Sequence, residues 1–418
     1  PSASTKLVVI YTNNIPRKSQ RSMESGSELP SEVICFQILA RLPVKSLMRF
    51  KCVCKSWYSL NRHPSFVNAH RNFHRNNHTQ LLLTTWDEAM LQQTFFSIQI
   101  KQGSPTLVNR LLNLPTPPTK NGERLYNALS VNGLVCLYLS DKVFPNRTDQ
   151  NHPVRILNPC TRESIILPHD SPAYSAIHLT HHFGFSPLTN EYKVLQVKRF
   201  QPLNSIEDRS FMFKIFKLGT SSWRRIEVDL NDVPFDLLKC QFDRRSVSAH
   251  GAIHWMHAST QNIIAVFNLE DERFRAIPLP EDYNYGIHGI NNTFGDMVEL
   301  DGCLALIGDR HLMQQNMMEL WILKDYENQV WVKETITFPF YWGDLGYPVP
   351  LYTIHTGELL LQSSRLLRQD PAQMKVFFYN MESKSFRSEI VSPRLRRSDH
   401  LRLKLLVGCG GDSIVPLR

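Results

Sequence analysis

Apolar residues follow two rhythms along this chain. Between Leu29 and Leu60 they recur at helical spacing, and from Leu81 onward they sit in short runs broken by polar turns. In the first stretch Ser31 is an N-cap candidate after Pro30. Val33, Ile34, Ile38, Leu39 and Leu42 then mark one apolar helix face. Pro43 ends that helix and suits the first turn of the next, whose stripe is Val44, Leu47 and Phe50. Phe50, Val53, Cys54, Trp57 and Leu60 fall at i, i+3, i+4, i+7 and i+10, which predicts a third helix. Helices this short do not bury all their apolar faces on one another. The surplus meets either a partner chain, in the helix-in-groove manner, or the rest of this protein. A further basic helix is expected over residues 63–78. His63, His70, His74 and His78 are read as part of its solvated face rather than as metal ligands.

The second rhythm is that of strands. LLLTTW and TFFSIQI come first, and then a unit recurs in diverged form: a strand, a glycine, another strand, and a strand pair across a polar turn. NALSVNGLVCLYL leads to VRILNPCTRESIILP, and THHFGFSPLTNEYKVLQV leads to FKIFKLGTSSWRRIEV. SVSAHGAIHWM, MVELDGCLALIG and LYTIHTGELLLQ open three more units. Gly133, Gly184, Gly251, Gly302 and Gly357 mark a period of about fifty residues, the spacing of kelch-like propeller blades. The glycines of the NG, HG, DG and TG pairs, Gly133, Gly251, Gly302 and Gly357, are read as supplying a turn conformation that other residues resist. Four strands per unit make one blade, and pairing of the LLVGCGGDSIVPL tail with the region from Leu81 to Ile100 would close a ring of about six. A β-sandwich or two stacked sheets is the alternative arrangement of the same strands.

The fold class that follows is α+β multidomain. Residues 1–27 form a disordered or upstream segment, 28–78 a small three-helix domain with a linker helix, and 79–418 an all-β, kelch-like propeller. Met23, in MESGSELP, reads as a natural start, which would leave residues 1–22 outside the native protein.

Composition changes this picture little. The 418 residues suffice for a large core, and the apolar fraction of 42% is ordinary for a globular protein. The net charge of +9 is spread along the chain, with one dense cluster at Arg394, Arg396, Arg397, Arg402 and Lys404. It is read as solubility rather than as a nucleic-acid footprint. The 8 cysteines are scattered with no CxxC pair, which favours a reducing compartment, the cytoplasm or the nucleus. No apolar run approaches a membrane span. Asn77, Asn146 and Asn291 head N-x-T sequons, which carry no meaning in such a compartment.

Leu29-Pro30, ILARLPVKSL from Ile38 to Leu47, RFKCVCKSW from Arg49 to Trp57 and HPSF from His63 to Phe66 together resemble a plant F-box in order and spacing. The resemblance implies a helical module that binds a Skp-type adaptor and, through it, the cullin and RING subunits of a ubiquitin ligase. Carried over residue by residue, it gives as adaptor-facing candidates Leu29, Pro30, Ile34, Ile38, Leu39, Leu42, Pro43, Leu47, Val53, Cys54 and Trp57. Gln37 stands where an acidic residue is common, and Asn61 where an apolar one is. The ordered series NGLVCL, ILNPCTRES, FGFSPLTNEYKVL, SSWRRIE, HGAIHWM and IPLP resembles the plant F-box-associated domain, which in that family captures a protein destined for ubiquitination. The full kelch signature is incomplete, so the blades are kelch-like only.

No catalytic constellation, cofactor cradle or metal set is found to compete with this reading. There is no GxSxG elbow and no P-loop. Gly408, Gly410 and Gly411 do not precede an expected helix. His250, His254 and His257 flank one strand, with His250 and His254 on one face; they are read as core or rim residues. The expectation is a non-catalytic substrate receptor that acts by holding a client near the ubiquitin-charged enzyme, with no nucleic acid and no membrane involved. The rival is an interaction module whose hook serves something other than a ligase. Aromatic anchors dominate hot spots, so Trp223, Trp255, Trp321, Trp331 and Trp342 are the client-binding candidates, although half or more of them belong to blade cores.

Overall fold

The hairpin turns show how the ring is built. Asn132-Gly133, His250-Gly251 and Asp301-Gly302 each have positive φ at both residues, and each joins strands in register across a two-residue loop. That is the type I′ geometry whose twist matches the flanking strands. Gly184 is different: it lies inside a strand, opposite Lys193, and serves close packing rather than a turn. A Cβ there would stand 2.5 Å from the Leu269 side chain.

The computed structural model describes residues 33–74, 79–87, 89–101, 104–116, 125–139, 141–142, 153–169, 176–200, 210–258, 262–283, 297–308, 315–346, 348–363, 374–391, 401–410 and 413–417. Its strands form six antiparallel sheets, the blades. Blade 1 holds β1 (Thr79–Asp87), β2 (Gln92–Lys101) and β3 (Ser104–Pro115). Blade 2 holds β4 (Tyr126–Val131), β5 (Leu134–Leu139), β7 (Arg155–Leu157) and β8 (Ser164–Ile166). The short β6 (Asp141–Lys142) joins blade 3, which consists of β9 (Ala176–Ser186), β10 (Glu191–Phe200), β11 (Ser210–Lys217) and β12 (Arg224–Ile226). Blade 4 is β13 (Val247–Ala249), β14 (Ala252–Met256), β15 (Ile263–Asn268) and β16 (Phe274–Pro278). Blade 5 is β17 (Met297–Leu300), β18 (Cys303–Gly308), β19 (Met317–Asp325) and β20 (Val330–Thr337). Blade 6 is β21 (Pro348–Thr353), β22 (Glu358–Ser363), β23 (Met374–Asn380) and β24 (Ser385–Val391).

The last strand, β25 (Leu401–Gly410), pairs antiparallel with β1 from Gln80↔Gly410 to Asp87↔Leu401 and completes blade 1. Inner strands β25, β4, β9, β13, β17 and β21 neighbour one another in cyclic order, so the ring is closed with six blades. The expected propeller is therefore present; β3 and β6 are strands that the apolar pattern did not pick out.

Blade faces pack on blade faces, so both sides of a middle strand are buried. In β1, Leu81 and Leu83 join Leu360 and Phe378 of blade 6, while Leu82 joins Leu137 and Leu157 of blade 2. Hence the continuous LLL run: period-2 alternation still sorts side chains, but both sets are apolar. After β25 the tail turns back across blade 2. Asn158 Nδ2 donates to the carbonyls of Ser413 (3.1 Å) and Val415 (3.0 Å), and Ile414, Val415 and Leu417 are buried.

Closure is crowded at Gly408, where an added Cβ would run into the ring and Cβ of Tyr352 in β21. Gly408→Val should therefore overpack the seam, at a cost of about 1–3 kcal/mol. Thermal denaturation followed by circular dichroism should show the transition lowered by several degrees. An unchanged transition would mean that β25 and β21 do not meet there.

Candidate functional site

The N-terminal hook begins with a π-helical turn, α1 (Val33–Ile38), which tightens into a 3-10 turn over Leu39–Arg41. Leu42 is extended, and Pro43 caps α2 (Val44–Phe50), where its carbonyl accepts from the N–H groups of Ser46 and Leu47. Proline fits there because a first-turn N–H has no helical partner to lose. The expected third helix splits. The chain leaves α2 after Phe50, Cys54 is fully extended (φ −156°, ψ 162°), and α3 (Lys55–Leu60) starts behind it. Cys52, Val53 and Cys54 are all weak helix formers, so helical spacing alone did not hold the run together. A fourth helix, α4 (Pro64–His74), leads to the propeller.

Apolar side chains of the hook divide into two sets. Leu39, Ala40, Val44, Leu47 and Leu60, with Phe66 and Val67 of α4, are buried in one core with Phe183, Phe185 and Tyr192 of blade 3 and with Ile414, Val415 and Leu417 of the tail. Burying each large side chain contributes about 1.5–3 kcal/mol, so the hook is seated on the propeller rather than tethered to it. Lys51 and Glu163 add an ion pair at 3.6 Å across the seam. The second set stays open: Ile38 is 43% and Val53 64% exposed, and Pro43 and Cys54 are exposed as well. Ile34, Leu42 and Trp57 are half-buried, the last with its ring 5.2 Å from that of Phe50. Of the expected adaptor-facing residues, Leu39 and Leu47 thus lie in the chain's own core, while Leu29 and Pro30 lie outside the described residues, as do the segment 1–27, the three sequons and residues 392–400 of the basic cluster.

Both departures from the family pattern have a physical setting. Gln37 is exposed. Asn61 is buried, and its Nδ2 donates to the carbonyls of Trp57 (3.1 Å) and Leu47 (3.5 Å). It ties the ends of α2 and α3 together, adding a side-chain bond to carbonyls that also accept from the backbone N–H groups of Lys51 and Asn61. The exposed Cys54 thiol is held below its ordinary pKa by the Ser56 hydroxyl and by backbone hydrogen bonds from Trp57 and Ser56.

The expectation of a solvated histidine face on α4 is corrected. His70 and His74 are buried and stack at 4.3 Å, and the His70 ring is 3.1 Å from the Leu42 carbonyl. Phe66, His70 and His74 share the inward face at i, i+4 and i+8 because α4 is wedged between hook and blade 3. His78 is outside the described residues.

The tryptophans are mostly structural. Trp255 and Trp342 are fully buried, and Trp321 is buried with Lys333 Nζ 4.8 Å above its ring. Trp342 Nε1 donates to the Pro348 carbonyl at 2.8 Å. Trp223 and Trp331 are half-buried, and Trp223 Nε1 donates to the Pro168 carbonyl at 2.8 Å. Trp255 Nε1 donates to His182 Nδ1 at 3.2 Å, and the Ser246 hydroxyl lies 2.9 Å from the same nitrogen. This leaves Nε2–H of a neutral His182 to face Thr180 Oγ1 at 3.3 Å. His254 is also locked neutral: Nδ1 donates to the Val247 carbonyl, and Nε2 accepts from the Tyr326 hydroxyl at 2.8 Å. His250 stacks on the same Tyr326 ring at 4.4 Å, whereas His257 bonds the Asp236 carbonyl at 2.9 Å. Among the described residues no three His, Cys, Asp or Glu side chains converge as a metal site requires.

Comparison with known proteins bears on both parts. Residues 27–66 match the F-box domain model, and residues 80–400 match the model of the F-box associated beta propeller domain. An F-box protein of Arabidopsis thaliana is 28% identical over 410 residues, which cover 95% of this chain and 93% of that one. A second from the same plant is 24% identical over 364 residues, 84% of this chain and 86% of that one. The β-propeller domain of the Trilobed protease from Pyrococcus furiosus aligns over 75% of this chain and 77% of that one, at 8% identity and a TM-score of 0.35.

The two locked histidines make stability depend on pH. Burial, then the neighbouring His181, pulls His182 down to about 3; burial chiefly pulls His254 down to about 4. An unfolded histidine titrates near 6.5, so below that pH the unfolded chain binds protons that the folded one refuses. The stabilisation is complete above about pH 6.5 and is lost progressively on acidification. Denaturant titration at pH 7.5 and pH 5 should show a loss of about 2 kcal/mol for each histidine. His182→Gln should flatten the dependence by one such share, and an identical slope would refute the assignment.

Proposed function

The chain belongs to the F-box proteins that carry an F-box associated β-propeller domain, and from that membership we propose that it is the substrate-recognition subunit of a Skp–cullin–F-box ubiquitin ligase. The observation that carries the reading is the division of the hook. Most of its apolar side chains seat it on the propeller, yet Ile38 and Val53 remain open to solvent. In this reading Ile38, Pro43, Val53 and Cys54, with Leu29, Pro30 and the half-buried Ile34, Leu42 and Trp57, meet a Skp-type adaptor. Leu39 and Leu47 support that face from beneath.

The adaptor brings cullin and RING subunits, and the propeller holds a client protein. The chain itself contributes proximity: it raises the effective concentration of the client near the charged conjugating enzyme and supplies no catalytic group. Trp223 and Trp331 keep accessible surface and are the better client anchors, whereas Trp255, Trp321 and Trp342 act by shaping the blades. The reading carries with it a cytoplasmic or nuclear setting.

Co-expression with a Skp-type adaptor tests the proposal. A stable one-to-one complex is expected. Val53→Asp should weaken it by about tenfold or more while leaving the melting temperature unchanged, since the side chain touches little of its own protein. Leu47→Asp is a poorer probe, because it also breaks the core shared with the propeller. Adaptor binding by folded Val53→Asp at wild-type strength would remove Val53 from the interface. A folded wild-type chain that captures no adaptor would favour an interaction module outside the ligase.

A further inference from the structure

All six inner strands of the propeller contribute to one cavity of about 410 Å³ on the ring axis, and Arg71 and Asn72 of α4 stand at its mouth. The volume falls within the range that accommodates metabolite-sized ligands. Among the described residues, three formally charged side chains reach it: Arg71, Arg245 and Glu299. Glu299 accepts from the N–H of Gly302. Arg71 lies 5.0 Å over the Phe185 ring. His250, also in the wall, is kept neutral by burial, with Glu327 opposing.

Arg245 stands just before β13, at the opposite end of that strand from His250. Five residues of extended chain, roughly 17 Å, separate them, so the cavity runs along the axis. The Arg245 side chain is exposed and faces the cavity. Among the described residues it makes no hydrogen bond and no ion pair. A guanidinium that faces the cavity with five N–H donors and no counter-charge among the described residues is free to pair with an anion.

We propose that the axial cavity is a binding site for a small amphipathic carboxylate. Its carboxylate pairs with Arg245 in the two-pronged manner of arginine, and its apolar body lies along the wall formed by Val131, Phe185 and Leu351. Among the described wall residues, two cations against one carboxylate leave a single positive charge, which suits a monoanion better than a phosphate dianion. The proposal goes beyond the ligase reading and does not depend on it.

Calorimetric titration of the full chain with 4-phenylbutyrate and with its neutral counterpart 4-phenyl-1-butanol provides the test. The carboxylate is expected to bind with a Kd of about 1 mM or tighter, and the alcohol about tenfold more weakly or worse. Arg245→Met should abolish that preference, and Arg245→Lys should keep part of it. Ser248→Leu narrows the cavity from β13 without touching the guanidinium and should weaken both probes. It also keeps the test open if Arg245→Met fails to fold. Equal binding of acid and alcohol, unaltered binding by folded Arg245→Met or Ser248→Leu, or no heat from either probe up to about 10 mM would each overturn the site. No adaptor is present in this assay, so its failure leaves the ligase reading untouched.

Discussion

The arrangement of the whole chain depends on one antiparallel pairing, that of β25 with β1. A ring of sheets has no stable open form with the same packing, because each blade buries both faces on its neighbours and an unclosed ring exposes two apolar faces at once. Here the closing strand arrives from the far end of the sequence, more than 300 residues after its partner by the numbering of the pair. Loop-closure entropy grows only slowly with length, so that distance costs little more than a short one would. The same C-terminal segment then continues under the hook, where Ile414, Val415 and Leu417 fill the core between α2, α4 and blade 2. Ring closure and hook seating are therefore coupled through residues 401–417. A chain that lost this segment would lose both.

Much of this was legible in the sequence, and the parts that were not share a cause. The Asn-Gly, His-Gly and Asp-Gly turns were readable because a local backbone requirement selects the residue, whatever surrounds it. Gly184 broke the series because its requirement is not local: the Leu269 side chain from the next blade occupies the space a Cβ would take. β3 escaped notice because SPTLVNRLLNLP, with its two prolines and mixed spacing, pairs at the outer edge of blade 1, where no neighbouring strand demands a regular pattern. The third helix of the hook failed for the converse reason. Its apolar spacing was helical, but Cys52, Val53 and Cys54 offer too little helix propensity to hold the backbone, and the residues were spent as a turn.

Side-chain roles were less legible than elements. Tryptophan and histidine look functional in a list because they are rare and chemically able, yet here they are largely used to fill and fasten blades. Trp255, His182, Ser246 and Thr180 form one chain of hydrogen bonds between blades 3 and 4. His70 and His74 replace what would ordinarily be apolar residues on the inner face of α4. A buried aromatic with a polar edge packs like a hydrophobe and still fixes orientation by a hydrogen bond, which an aliphatic residue does not do. Spacing alone does not distinguish that use from a ligand set; the identity of the element packed opposite does.

The hook illustrates how one short motif serves two surfaces. Its apolar residues exceed what three small helices can bury on one another, and the excess has been divided by the turn at Val53. Had α2 run on through residue 60, the spacing of Phe50, Val53, Cys54 and Trp57 would have placed all four on one face. That face would have been available to the propeller or to a partner, not to both. Breaking the helix turns Val53 outward while Phe50 and Trp57 remain in tilted ring contact and half-covered, so a rigid seat and an open edge coexist within a few residues. Asn61 then holds the broken pieces in register from inside, by donating to the carbonyls of Leu47 and Trp57. Rigidity at the seat keeps the open edge at a fixed position relative to the propeller. In the proposed ligase reading, in which the chain holds two partners near each other, that geometry matters more than the strength of either contact.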